Sequence, residues 1–355
     1  MTRPDLPEPD RDYLLARLLD MLAIPSPTGF TDEVSHYVCA QLDALHIPYE
    51  ITRRGTIVAR ISGESGVTAR AVVNHLDTIG AVVTDLKDNG RLSVDSIGTW
   101  SSRFAEGGRV SVFSRQSIWR GQVLPVLASG HAFNKQIDAL PVSWNSVEIR
   151  LNGPFDDRDD LQNAGICTGD FVAFDASPEI SPDGYISARH LDNKAGAAAL
   201  LSALKAIVQA PNKLPADLLA VFTVTEEVGT GASASLPDNV GELVGIDIGP
   251  VAPGQNARET GVTLCAQDTS GPFDRRMLGH LKSLCREHDI DYQVDLFRYY
   301  YSDANSALKA GHDLREALVT FGTDATHGYE RTHLSSLTSV ARLLLAYAGS
   351  KLLDG

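Results

Sequence analysis

Several features that would settle the class of a protein are scarce in this chain. Its four cysteines, Cys39, Cys167, Cys265 and Cys285, are widely spaced and form no Cys-x-x-Cys pair. That pattern excludes a disulfide framework and a cysteine-based structural zinc site, and the four read as buried thiols. No run approaches the roughly 18 consecutive apolar residues that a membrane-spanning helix requires. The stretch Met1 to Asp12 is charged and proline-bearing, with no basic segment leading into an apolar one, so a cytoplasmic protein is expected. Internal repeats and low-complexity tracts are missing too, which removes solenoids and propellers. Positive charge is in short supply: 31 Lys and Arg against 45 Asp and Glu leave a formal net charge of −14. A surface of that sign repels phosphate backbones and anionic lipid headgroups, so neither nucleic acid nor membrane is expected as a partner. Acidity of this kind also serves plain solubility, and by itself it names no substrate.

What is present is globular. A content of 43% hydrophobic and 21% charged residues lies well away from the disordered regime. At 355 residues the chain exceeds one ordinary core, so a large domain with a smaller inserted or appended one is expected. The spacing of apolar residues predicts a helix over Tyr13–Ala23, then the breaker run Pro25-Ser26-Pro27-Thr28-Gly29, then a second helix from an N-cap at Thr31 to about Leu45. Strands follow at Tyr49–Thr52, Ile57–Ile61 and Ala69–Asn74. From about Ile79 to Asp183 the texture changes to short β-like runs, among them Leu92–Ser96, Arg109–Phe113, Val147–Leu151 and Phe171–Phe174. These are punctuated by turn residues such as Asp88-Asn89-Gly90 and Asn152-Gly153-Pro154, as in a small barrel or sandwich. After Asp192 helix and strand alternate again: a helix over Asn193–Val208, strands at Leu218–Val224, Val244–Ile248 and Ala317–Phe321, and a closing helix over Leu334–Tyr347. An α/β domain interrupted by a β domain is therefore expected.

The chemistry-bearing residues stand where strands end, which is where open α/β sheets bind ligands. His75-Leu76-Asp77 follows the apolar run Ala71–Val73, so His75 could offer a ring nitrogen to a metal while Asp77 fixes the tautomer through the other. Asp192-Asn193 opens a helix rich in Gly and Ala; an Asp there is an ordinary N-cap, yet the small residues let the helix pack close and bring the carboxylate to the crevice. Glu226 and Glu227 end the strand Leu218–Val224. They are either a solvated surface pair or a metal ligand beside a general base, because a buried unpaired carboxylate is costly. Asp247 lies inside the apolar run Val244–Gly249 and requires a partner, for which a cation is suited. The last cluster, Asp324 to His333, carries His327 and His333, too far apart to share a helical face at i, i+4; a loop placing one of them at the crevice fits better. Each of these histidines alone reads as structural. Together, a His, Asp, Glu, Asp, His set at strand ends suits two borderline metal ions roughly 3.5–4 Å apart.

In that order and spacing the set resembles the glutamyl and deblocking aminopeptidases that assemble as tetrahedral (TET) particles, within the clan of co-catalytic zinc exopeptidases. The resemblance covers nearly the whole chain, including Pro25–Gly29 and the β-rich stretch closed by Gly169–Phe174. The ending Thr326–His333 looks most like the branch associated with the osmoprotectant N-acetylglutaminylglutamine amide. The resemblance implies a mixed-sheet zinc-exopeptidase catalytic domain over 1–79 and 183–355, with a small β-barrel for oligomerisation inserted at 80–182. It implies that His75 and Asp247 hold one metal, Glu227 and His333 the other, that Asp192 bridges them, that Glu226 is the base and that Asp77 orients the first histidine. Two departures touch substrate choice: Lys194 stands where the family commonly has Arg, and His333-Leu334-Ser335 where it has His-Ser-Pro.

The expectation is thus a metallo-aminopeptidase with two divalent ions per chain, zinc first, then cobalt or manganese. It would cleave short peptides from a free N-terminus, with a bridging water activated by Glu226, and would form a homo-oligomer between dimer and dodecamer. The alternatives are a deacylase or amidase acting on the acetylated glutamine dipeptide amide, with Lys194 and Arg331 receiving its side chains, a mononuclear carboxypeptidase-like enzyme, and a non-catalytic metal-binding assembly protein. A free Glu226 beside Glu227 speaks against the last of these.

Overall fold

The computed structural model describes residues 7–353. Met1–Leu6, half of the stretch read above for a leader, and Asp354–Gly355 lie outside them. The first helix, α1 (Arg11–Leu22), starts where the Asp10 side chain accepts from the Tyr13 amide, and it buries Leu14, Leu18, Met21 and Leu22 along one stripe. After the breaker run comes α2 (Asp32–Ala44), with Thr31 at the N-cap position but without the expected side-chain cap. Three strands follow, β1 (Tyr49–Ile51), β2 (Ile57–Ile61) and β3 (Ser65–His75), the last extending beyond its predicted ends.

The next six strands are β4 (Gly80–Leu86), β5 (Leu92–Ile97), β6 (Arg109–Phe113), β7 (Ile118–Pro125), β8 (Val147–Leu151) and β9 (Phe171–Phe174). They close into a barrel in the order β4-β5-β8-β7-β6-β9, every recorded pair antiparallel. The barrel has its own core, with Ala81, Val94, Val112 and Ile149 inside. The periodicity missed β4 and β7, and two short helices sit in the connections, α3 (Gly130–Phe133) and α4 (Arg158–Asn163).

The chain then adds β10 (Glu179–Ile180), β11 (Tyr185–Ala188), the long helix α5 (Leu191–Gln209), β12 (Ala216–Thr223), β13 (Val240–Val251), β14 (Val262–Asp268), β15 (Gly271–Pro272), α6 (Arg275–Glu287), β16 (Tyr292–Leu296), α7 (Asp303–Lys309), β17 (Arg315–Asp324), β18 (Glu330–His333) and α8 (Leu334–Gly349). Twelve strands form one mixed sheet, with β12, β3, β13 and β17 side by side and parallel at its centre. Alternate residues of β3 serve opposite faces: Val72 packs beneath α1, α2, α5, α6 and α8, whereas Ala71 and Val73 face the cluster that includes Ala304 and Ala307 of α7. Burial on both faces explains why these strands read as near-continuous apolar runs.

One cysteine expectation needs correction. Cys39, Cys265 and Cys285 are buried, but Cys167 is exposed, on a turn where Asp170 accepts from both its amide and its thiol. All four are free. Among the described residues no helix is long and apolar enough to cross a membrane.

Candidate metal centre

The carboxyl ends of the four central parallel strands converge on one crevice. β3 ends at His75, in register with Thr223 at the end of β12, and the next turn carries Glu226 and Glu227. Asp247 lies on β13, opposite Thr320 of β17, and the turn after β17 carries His327. Facing them is the first turn of α5, irregular at Asp192 and Asn193, where the Asn193 side chain donates to the Ile246 carbonyl and that of Asn74 to the Asn193 carbonyl. Gly196 permits this approach, since a Cβ there would lie 2.2 Å from Asn193 Oδ1. Asp192 therefore does not act as a simple N-cap: its side chain points into the crevice.

The geometry centres on that carboxylate. Asp192 Oδ1 is 3.1 Å from His75 Nε2, and Asp192 Oδ2 is 3.5 Å from His327 Nε2. Asp247 Oδ1 completes the first group, 3.8 Å from His75 Nε2, and Glu227 Oε2 the second, 3.7 Å from His327 Nε2. Each trio presents one imidazole nitrogen and two carboxylate oxygens within 4.8 Å of one another. Glu226 belongs to neither trio but lies beside them, its Oε2 3.8 Å from His75 Nε2.

His333, expected as the fifth ligand, is elsewhere. Its Nδ1 accepts from the Ser335 amide, capping α8, and its Nε2 is 2.7 Å from the Asp183 carbonyl. His327 stands in the position expected of it, with a left-handed backbone (φ 63°) that no periodicity signals. Its amide donates to Glu330 Oε1, while Glu330 Oε2 accepts from the Asp192 amide, so one buried carboxylate ties the two sides of the crevice together. Asp77 also differs in detail. The Asp77 main-chain carbonyl lies 2.9 Å from His75 Nδ1, whereas its carboxylate accepts from the Thr28 hydroxyl and from the amides of Glu226 and Glu227. Lys194 and Arg331 do not reach the crevice: the Lys194 ammonium donates to the carbonyls of Met21 and Ile24, and Arg331 forms a two-pronged pair with Glu259. The side-chain recognition proposed for an acylated dipeptide amide thus loses both cations.

The residues fit a pair of cations. Burial pushes Glu226 well above the usual carboxyl range and Glu227 to about 8; it also raises Asp247, reinforced by the neighbouring Asp192. Burial opposes the charge on both histidines, yet hydrogen bonds to Asp192 and the surrounding carboxylates outweigh it, holding His75 well above its usual range and His327 at about 10. Asp192 is likewise pushed up by burial but ends below the usual range because His327 and His75 donate to it. Asp192 apart, these groups hold protons more tightly than free side chains, and a cation bound among them would displace those protons.

A cleft of about 940 Å³ opens above these groups, with Tyr299, Tyr301 and Lys309 along its wall. The profile of the M42 glutamyl aminopeptidase family matches residues 55–343. The chain belongs to the M42 peptidase family. Among its relatives, YhfE of Bacillus subtilis (strain 168), named provisionally as an aminopeptidase, is 36% identical over 332 residues, covering 93% of this chain and 96% of that one. Aminopeptidase APDkam598 from the archaeon Desulfurococcus kamchatkensis shares the fold with a TM-score of 0.85 at 22% identity, over 96% of this chain and 95% of that chain. The TET1 peptidase of Pyrococcus horikoshii, described as assembling into a tetrahedron or a large octahedral shell, superposes with a TM-score of 0.83 at 21% identity, over 94% of this chain and 99% of that one. This M42 peptidase is an aminopeptidase by family and hence a hydrolase of peptide bonds, in a family that depends on metal.

Proposed function

We propose that this M42 peptidase is a dinuclear aminopeptidase that removes residues from the free N-terminus of short peptides. One observation carries the reading: the two oxygens of Asp192 face separate histidines, each backed by a further carboxylate. His75 and Asp247 would hold one divalent ion, Glu227 and His327 the other, with Asp192 shared between them. This mixed N/O set suits zinc, cobalt or manganese. Once bound, such ions would supply Lewis-acid polarisation of the scissile carbonyl and make the attacking water more acidic.

The protein residues do the rest. Glu226, outside both trios but within reach of the same space, takes a proton from the attacking water and delivers it to the departing amine. Asp77 positions that base by accepting from the Glu226 and Glu227 amides. Asp303, buried beside the cleft, adds negative charge that favours a substrate ammonium over a blocked amine. The similarity in fold to shell-forming peptidases supports self-assembly of this chain as well, between dimer and dodecamer, with the barrel supplying contact surface. Metal analysis of active protein, coupled to cleavage of a chromogenic aminoacyl-anilide, tests the proposal. Two ions per chain are expected; full activity with one ion, unchanged on adding more, would overturn it.

A further inference from the structure

Apart from the Asp192 that they share, the two trios are held by different parts of the molecule. His75, Asp192 and Asp247 are held within the sheet and α5: the His75 ring by the Asp77 carbonyl, Asp192 through its amide by Glu330, and the Asp247 carboxylate by the amide of Ile248. The second trio leans on the barrel. His327 Nδ1 lies 3.0 Å from the main-chain carbonyl of Thr99, in the connection between β5 and β6, which leaves Nε2 free to face Asp192 and Glu227. Glu227 Oε1 accepts from the amide of Ile79, the residue before β4. The same connection rests against the His327 turn, where Phe104 fills the space that a Cβ on Gly328 would take, and its Phe104 carbonyl accepts at 2.6 Å from Arg189, between β11 and α5.

We infer that the barrel is a positioning element of the metal centre, setting the affinity of the Glu227–His327 site while leaving the His75–Asp247 site alone. The inference rests on the two-metal reading above. A ligating imidazole is oriented by whatever takes its other N–H, and loss of such a partner costs about 10–100-fold in metal affinity. Here that partner is a carbonyl, so its placement depends on how the barrel connection sits and on no side chain of Thr99. Any contact that shifts the barrel against the sheet therefore reaches one ion and spares the other.

Two full-length variants test it. In Gly98→Val a Cβ would enter at 2.9 Å from Ile79 Cγ2 and 3.4 Å from Glu227 Oε2, on a backbone with φ 81°, and so disturbs both the connection and the ligand beside it; Phe104→Ala removes the anchor on Gly328 without touching a ligand and is the deciding variant. Metal-free wild type and variants are titrated with zinc by calorimetry and with cobalt by visible absorption, with far-UV circular dichroism and thermal melting recorded alongside. Wild type is expected to bind in two resolved steps. Both variants should keep the folded spectrum and one binding step unchanged, while the other, the step that His327→Ala abolishes, weakens by about 10–100-fold. Equal weakening of both steps, or no change in either while the protein stays folded, overturns the inference. A total of one ion bound per wild-type chain would instead remove the two-metal reading beneath it.

Discussion

Asp192 Oδ2 lies 3.5 Å from Nε2 of His327, a residue that the family spacing alone passes over in favour of His333. The two histidines should therefore separate cleanly on mutation. His327→Ala should lose one of two ions and nearly all turnover. His333→Ala should keep both ions and lose only its cap on α8, worth about 0.5–2 kcal/mol. Metal content and thermal melting of the two proteins decide it; loss of an ion from His333→Ala alone would reverse the assignment.

The proposed function gives the neighbours Glu226 and Glu227 different duties. Glu226→Gln removes proton transfer but no ligand, so it should retain both ions and lose about 10²–10⁴-fold in kcat. Glu227→Gln should weaken metal binding and recover part of its activity in excess metal. Single-turnover assays with parallel metal analysis distinguish the two, and metal loss from Glu226→Gln would sink its role as base.

Much of this was legible in the sequence. The strand ends bearing His75, Glu226, Glu227 and Asp247 were readable because apolar runs with adjacent carboxylates have few explanations. Strands β6, β8 and β9 emerged at their predicted bounds, since turn residues flank short runs that are buried at most positions. The choice between His327 and His333 was not legible: it depends on a left-handed turn and on the Thr99 carbonyl, reached across the fold from another part of the chain. The acceptor facing the His75 ring was hidden for a similar reason, because sequence cannot distinguish the Asp77 carboxylate from its carbonyl. Glu330, which joins Asp192 to His327 through their amides, had a weak signal as a carboxylate three residues after the histidine.

In the absence of metal the charge pattern should make the fold sensitive to alkali. Burial holds Glu227 and Glu330 at about 8, against 4.5 when free. Against the pull of burial, Asp192 and Glu227 hold His327 at about 10 rather than 6.5. All three bind protons more tightly in the native state, so native protein retains protons that unfolded chain has released, and stability falls as pH rises between 6.5 and 8. Lys194, lowered by burial to about 7, works in the opposite direction above that value but is a single group. The melting temperature of chelator-treated protein should therefore drop across this interval, and saturating zinc should flatten the drop by replacing the protons. A chelated protein that becomes more stable from pH 6.5 to 8 would contradict the charge assignment.

The last expectation concerns substrate. An exopeptidase of this design has to accept a substrate amine beside its metals, and the cleft is bordered by Asp303, a carboxylate outside both trios, and by the base Glu226, groups that favour an amine and gain nothing from an acetyl group. The competing possibility, hydrolysis of an acetylated glutamine dipeptide amide, relied on Lys194 and Arg331, and both are engaged elsewhere. Lys309 is the lysine that does line the cleft, against Tyr301 at 4.2 Å from its ring centroid, so an acidic or amide side chain remains acceptable provided the amine is free. Zinc- or cobalt-loaded enzyme should therefore release glutamine from Gln-Gln amide and leave the N-acetylated form largely intact. Mass spectrometry of the two digests, run at equal enzyme and substrate, reports this directly. Faster cleavage of the acetylated compound would mean that the crevice handles an acyl group rather than an ammonium, and would move the activity from aminopeptidase to amidase on the same metal centre.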